Sequence, residues 1–185
     1  MSKKIIVVFH SGYGHTKRMA EAVANGAGAS LLPIDAEGNL PEGGWEQLAA
    51  ADAIIMGSPT YMGSVSWQFK KFADASSKPW YPEAWKDKIA AGFTNSASMN
   101  GDKHSTLHYL ITLAMQHSMI WVGTGMLPSN KKSATRNDIN YVASSSGAMA
   151  STPSDASVDE MLPGDLETAR LFGQRVAEVT AKVRG

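Results

Sequence analysis

The chain has 185 residues, 43% of them hydrophobic, so it is long enough for one full core and short for two. Seventeen basic residues balance seventeen acidic ones, which gives no reason to expect nucleic acid or an acidic lipid surface as partner. There is no cysteine, which excludes disulfides, thiolate nucleophiles and cysteine-ligated zinc or iron–sulfur centres, and fits a cytoplasmic location.

The chain opens with Ser2-Lys3-Lys4 and a short apolar run, Ile5 to Phe9, with no cleavage site, so no signal peptide is expected. Nothing elsewhere is long enough to span a bilayer, and no membrane insertion is expected. The run reads as a strand buried on both faces. It stops at Ser11-Gly12-Tyr13-Gly14-His15-Thr16, and a helical pattern follows: Met19, Ala20, Val23, Ala24 and Ala27. Ala29 to Ile34 reads as a second strand, Trp45 to Ala50 as a short helix and Ala53 to Met56 as a third strand. Val65, Phe69 and Phe72 mark the next helix, after the loop Gly57 to Gly63. Lys78 to Lys86 is aromatic and proline-rich; Ile89 to Phe93 is a fourth strand, ending in Thr94 to Gly101. Leu107, Leu110, Ile111 and Ala114 define another helix, and Met119 to Val122 a fifth strand. Gly123 to Gly164 is polar, aperiodic and of a length that points to a functional or partly disordered connection. Asp165 is placed to cap the last helix, whose apolar face runs through Leu166, Ala169, Gly173, Val176, Ala177 and Val183.

Five alternations of strand and helix predict a single α/β domain over residues 1–185. The expected sheet is parallel, five-stranded and doubly wound, in three layers, with strand order 2-1-3-4-5. Ligands of such sheets bind beyond the carboxyl ends of the strands, where the three loops of unusual composition converge. In the first, a helix N-terminus suits a phosphate, Ser11 and Thr16 add hydroxyls, and Gly12 and Gly14 allow close backbone approach. It is neither a Walker A loop nor a G-x-G-x-x-G turn. An ordinary β–α turn with Thr16 as cap is the plain alternative. In the second, Pro59 stiffens the backbone and amides around Gly63 could hold a flat heteroaromatic; the third, Thr94 to Gly101, offers hydroxyls and amides. His104 and His108 lie one turn apart without a third ligand, so no metal site is expected.

The Ser-x-x-Gly-x-Thr loop resembles the phosphate loop of flavodoxin-like proteins. Almost the whole chain resembles the WrbA-type NAD(P)H:quinone oxidoreductases within that flavodoxin-like group. The segments that carry this are Tyr13-Gly14-His15, Gly57 to Gly63, Lys88 to Phe93, His117-Ser118-Met119 and Ala169 to Gly173. The resemblance implies a non-covalent FMN. Ser11, Tyr13, Gly14, His15 and Thr16 match its phosphate site. Pro59, Thr60, Tyr61, Met62 and Gly63 match the loop along the isoalloxazine. Thr94, Asn95, Ser96, Ala97 and Gly101 match its other polar edge. His117 matches a histidine beside the open flavin face, in a role that orients or protonates the acceptor carbonyl. Trp80 matches a tryptophan that family members insert at a neighbouring subunit's flavin, which implies a homotetramer or homodimer. The chain departs from the family at Ala97, Met99 and Asn100, where relatives are glycine-rich, at Met62, and over residues 124–150.

The activity implied is two-electron transfer from NADH or NADPH through FMN N5 to a quinone or similar acceptor. Two alternatives stay open: a flavodoxin-type one-electron carrier, or an FMN or azo-compound reductase. From the residues alone, His117 reads equally as a helix-end histidine, and Trp80, Tyr81 and Trp85 as a satellite core cluster.

Overall fold

The computed structural model describes residues 3–184; Met1, Ser2 and Gly185 lie outside it, and with them part of the reading of the chain's start. Strand β1 (Ile5–Phe9) leads to helix α1 (His15–Ala27), then β2 (Ser30–Pro33), α2 (Gly44–Ala49) and β3 (Ala53–Tyr61). Strand β4 (Ser64–Val65), α3 (Trp67–Ala75), the single turn α4 (Ser77–Trp80) and β5 (Ile89–Ser96) follow. Helix α5 (Lys103–Gln116), β6 (Ile120–Trp121), β7 (Ala148–Ser151), a 3₁₀ turn (Val158–Glu160) and α6 (Pro163–Val183) complete the chain.

The sheet order β2-β1-β3-β5-β6 is the expected one, allowing for the β3–β4 hairpin in the numbering. Its main ladder is parallel throughout. Successive residues of β1 face opposite layers, as strand geometry requires. Ile5, Val7 and Phe9 pack with α1 and α6; Ile6 and Val8 pack with Leu48 of α2, Phe69 and Phe72 of α3, and Leu107 and Leu110 of α5. Burial on both faces explains why these strands read as unbroken apolar runs.

The structure differs from the sequence reading at the sheet's last position. Strand β6 pairs only Ile89 and Ala90, at the start of β5. The chain then leaves the sheet for residues 122–147 and returns as β7, which pairs Phe93 to Ser96. One edge position is therefore filled by two short strands, and the long polar segment hides a strand. Ala148-Met149-Ala150 was too short and too small-sided to stand out. The loop after the third strand is also more regular than expected: β3 runs on to Tyr61, and Met62 and Gly63, both at positive φ, make the two-residue turn into β4.

Helices α1 and α6 approach to backbone contact. A Cβ on Gly26 would strike the Arg170 carbonyl, and one on Gly173 the Val23 carbonyl. Asp165 does not cap α6, because Leu162 occupies that position. On α6, Phe172 and Thr168 join the buried face and Val183 is half exposed. Lys88, almost fully buried, donates to the carbonyls of Leu48, Ala49 and Ala51, closing the C-terminal end of α2. Among the described residues, no helix is long and apolar enough to cross a membrane.

Candidate functional site at the carboxyl edge of the sheet

A cavity of about 310 Å³ opens at the carboxyl ends of β1, β3, β5 and β7. Its volume sits at the small end of the roughly 300–1,000 Å³ range of ligand sites. Four segments line it. Tyr13, His15 and Thr16 come from the loop before α1, and Pro59, Thr60 and Tyr61 from the end of β3. Asn95, Ser96 and Ala97 come from the end of β5, and Thr152 and Ser154 from the segment after β7.

The first loop is held by one hydroxyl. Ser11 Oγ accepts the amides of Gly14 and Lys17, the second of these in the first turn of α1. Thr16 is therefore not the cap. Gly14 takes that position at φ 92°, which bends the chain so that α1 starts abruptly. The first amides of a helix have no partner within it, so those of His15 and Thr16 remain for a ligand at the cavity. Tyr13 stands edge-on to Tyr61, with ring centroids 6.3 Å apart. The Tyr61 hydroxyl fills the space beside Gly12, and its burial, with Tyr13 adding to it, raises the phenol's pKa.

Below the cavity three hydroxyls form a buried chain. Thr60 Oγ1 lies 2.8 Å from Thr94 Oγ1 and 2.7 Å from Thr106 Oγ1. Thr94 is spent there, supporting the floor instead of lining the cavity. The fourth segment is tied to the others at two points. Thr152 Oγ1 donates to Asn95 Oδ1 (3.0 Å), and His15 Nε2 donates to the Ala156 carbonyl (2.9 Å). Sequence reasoning missed Thr152 and Ser154. Their signal was present: Ser151-Thr152-Pro153-Ser154 follows a short apolar run, as Ser58-Pro59-Thr60 does.

Of the expected cofactor residues, Ser11, Gly14, Met62, Gly63, Thr94 and Gly101 flank or support the cavity without lining it. Trp80 and His117 do not meet it in their own chain. Helix α5 starts behind Ser96 and runs back for 14 residues, about 20 Å, so His117 lies at the opposite edge of the sheet. There it ends the helix and packs on Trp85, with ring centroids 4.2 Å apart. Ser76 Oγ donates to the Ala73 carbonyl and accepts from His117 Nε2, so the neutral imidazole carries its proton on Nε2. Trp80 Nε1 donates to the Gln116 carbonyl nearby. The aromatic cluster therefore splits: Trp85 is core, stacked in series with Phe72 and Trp45, while Trp80 and Tyr81 are exposed.

Burial pushes the His117 imidazole down to about 4. An unfolded chain protonates it near the ordinary value, so its contribution to stability is complete above about pH 6.5. That contribution is lost as pH falls toward 4. Urea unfolding should show a loss of about 2 kcal/mol from this group between pH 7 and pH 5. His117→Gln should remove that part of the slope; an unchanged slope would contradict it.

The cavity wall carries no carboxylate, ammonium or guanidinium. Neutral donors at a helix N-terminus suit a phosphate, and Pro59 and Tyr61 face it with apolar surface for a flat ring. Residues 44–134 match the family model described as NADPH-dependent FMN reductase. A protein of Pseudomonas aeruginosa named flavodoxin FldP is 54% identical, over 95% of this chain and 96% of its own. A crystal structure described as the flavodoxin, WrbA-like protein from Agrobacterium tumefaciens superposes with a TM-score of 0.80. It is 56% identical and covers 98% of this chain and 99% of its own. The chain belongs to the WrbA-type family of flavodoxin-like FMN proteins. A Geobacter sulfurreducens protein named NAD(P)H dehydrogenase (quinone) is 33% identical over 98% of this chain and 99% of its own. FMN is this family's cofactor and NAD(P)H its electron donor. The residues present fit FMN: a phosphate-sized set of amides and hydroxyls, a flat-walled cleft, and polar groups of Asn95 and Ser96 opposite.

Proposed function

We propose that the protein is an FMN-dependent oxidoreductase that takes two electrons from NADH or NADPH and passes them to a quinone or similar small acceptor. The observation that carries this reading is the convergence of four segments on one uncharged cleft whose mouth stays open. The chemistry that FMN supplies there when bound is two-electron transfer between nicotinamide and acceptor. The chain's own part is binding and placement. Ser11 and Gly14 set the loop that offers the His15 and Thr16 amides to a phosphate. Pro59 and Tyr61 form one wall against the ring, and the Thr60–Thr94–Thr106 chain keeps the floor rigid and dry. A donor and an acceptor that use the same open side in turn give ping-pong kinetics. A cytoplasmic location, where reduced nicotinamides are available, belongs to the same reading.

Assembly as a homotetramer or homodimer extends it. Trp80 is 45% exposed at the sheet edge opposite the cleft, so it reaches a flavin only in another copy. His117, buried behind it, supports that edge. A second reading, a one-electron carrier, is favoured by the name of the Pseudomonas relative. Anaerobic titration of FMN-loaded protein decides between them. Bleaching by NADH or NADPH at one equivalent, reversed by benzoquinone, is expected. Bleaching by dithionite alone would support the carrier. No bound flavin would overturn both.

A further inference from the structure

Lys103, the first residue of α5, has no exposed surface. Its ammonium lies directly behind the wall formed by residues 95–97. Nζ donates to Ser96 Oγ at 2.9 Å, to the Ser98 carbonyl at 2.6 Å and to the Met99 carbonyl at 2.8 Å. All three protons are satisfied, and all three acceptors are uncharged. Asp165 is the carboxylate whose charge acts on it, and it is already engaged: Arg136 Nη2 donates to it at 2.7 Å and the Ser151 amide at 2.9 Å. Arg136 Nη1 is itself buried without a partner. Lys103, Arg136 and Asp165 therefore sum to one uncompensated positive charge beneath the cavity. Burial lowers the lysine to about 8, which leaves it mainly protonated at neutral pH.

A buried ammonium is an expensive way to brace a turn. Removing it from water is costly, and a neutral amide could bridge two of the same three oxygens. The arrangement has a use if the ligand on the other side of the wall gains negative charge. Oxidised isoalloxazine is neutral, while its two-electron-reduced form carries a negative charge in the pyrimidine ring at neutral pH. A fixed cation in a dry wall stabilises the second over the first.

We propose that Lys103 is the residue that sets the charge of this flavin pocket, favouring the reduced over the oxidised cofactor while holding the 96–99 turn. The inference rests on the FMN reading above. It makes Lys103 a positioning and electrostatic residue that acts through the wall, without touching the substrates.

The test is the midpoint potential of bound FMN, measured anaerobically against a reference dye, with the dissociation constant of oxidised FMN measured alongside. Lys103→Gln keeps hydrogen-bond donors and removes the charge; Lys103→Arg keeps the charge. Gln should lower the potential by about 30 mV or more, a tenfold loss in preference for reduced FMN. Oxidised FMN should bind it almost as well as the wild type, and Arg should restore the potential. An unshifted potential in Gln, or weaker binding of both redox forms by the same factor, would leave only a structural clamp and overturn the proposal. If Gln does not fold, the wild type decides. A potential above that of free FMN supports the proposal, and one at or below it overturns it. A wild type that binds no FMN would instead overturn the functional reading itself, and this inference with it.

Discussion

Gly173→Ala is expected to lower the melting temperature by about 10 °C. The added methyl would lie inside contact distance of the Val23 carbonyl, with its carbon and the Ala27 amide close behind. These are backbone atoms of α1, so no rotamer change relieves the clash. The two helices must move apart, and their separation loosens Val23, Ala27, Ala169 and Val176, all buried in one cluster. Overpacking of this kind costs about 3 kcal/mol. For a chain of this size each kcal/mol moves the midpoint by roughly 2–4 °C. Gly26→Ala meets the Arg170 carbonyl from the other side and should behave alike. Gly28→Ala is the contrast, since nothing lies within 4 Å of its added carbon. Only its left-handed φ of 60° is strained, at about 1 kcal/mol. Thermal unfolding followed by far-ultraviolet circular dichroism separates the three. Equal midpoints for Gly173→Ala and wild type would show that the helices yield freely.

Gly14→Val should weaken FMN binding by about 100-fold with the sheet intact. Gly14 sits at φ 92°, a conformation a β-branched residue adopts only under strain, and its Cβ would lie 2.8 Å from Val158 Cγ2. Relief comes by rotating the loop. Rotation breaks the Gly14 amide's bond to Ser11 Oγ and turns the His15 and Thr16 amides away from the cavity. Together these cost about 2–3 kcal/mol, or roughly 30- to 150-fold in affinity. The same shift pushes on Val158 and the His15–Ala156 contact, so the fourth wall moves too. Flavin fluorescence quenching gives the affinity, and a near-native melting temperature without FMN shows that the loss is local. Tight binding by this variant would mean that the phosphate is held elsewhere.

The layer order and three of the cavity's four walls were legible in the sequence because they depend on short-range physics. A strand buried on both faces is a run of branched apolar residues, as in Ile5 to Phe9 and Ile54-Ile55. A helix that packs on one side repeats every three to four residues, and Met19, Ala20, Val23, Ala24 and Ala27 are all buried as that spacing required. Glycine and hydroxyl residues at a strand end mark a close approach of backbone to ligand, so Tyr13, Thr16, Pro59 and Asn95 could be named from composition and family likeness.

What only the tertiary structure decided depends on partners far apart in sequence. Thr152 and Ser154 enter the site because β7 re-joins the sheet beside Phe93 to Ser96 after a long excursion, a pairing no local pattern encodes. His117 stands close to the site in family likeness, yet a full-length helix carries it to the other edge of the sheet. Lys103 reads as an ordinary charged residue at a helix start. Its burial appears only when Ser96, Ser98 and Met99 close around it, and its charge is left unanswered only because Arg136 has already claimed Asp165. Local sequence patterns fix where a chain is apolar, helical or tightly turned. Which charge stays unpaired depends on long-range contacts that exist only once the layers have packed.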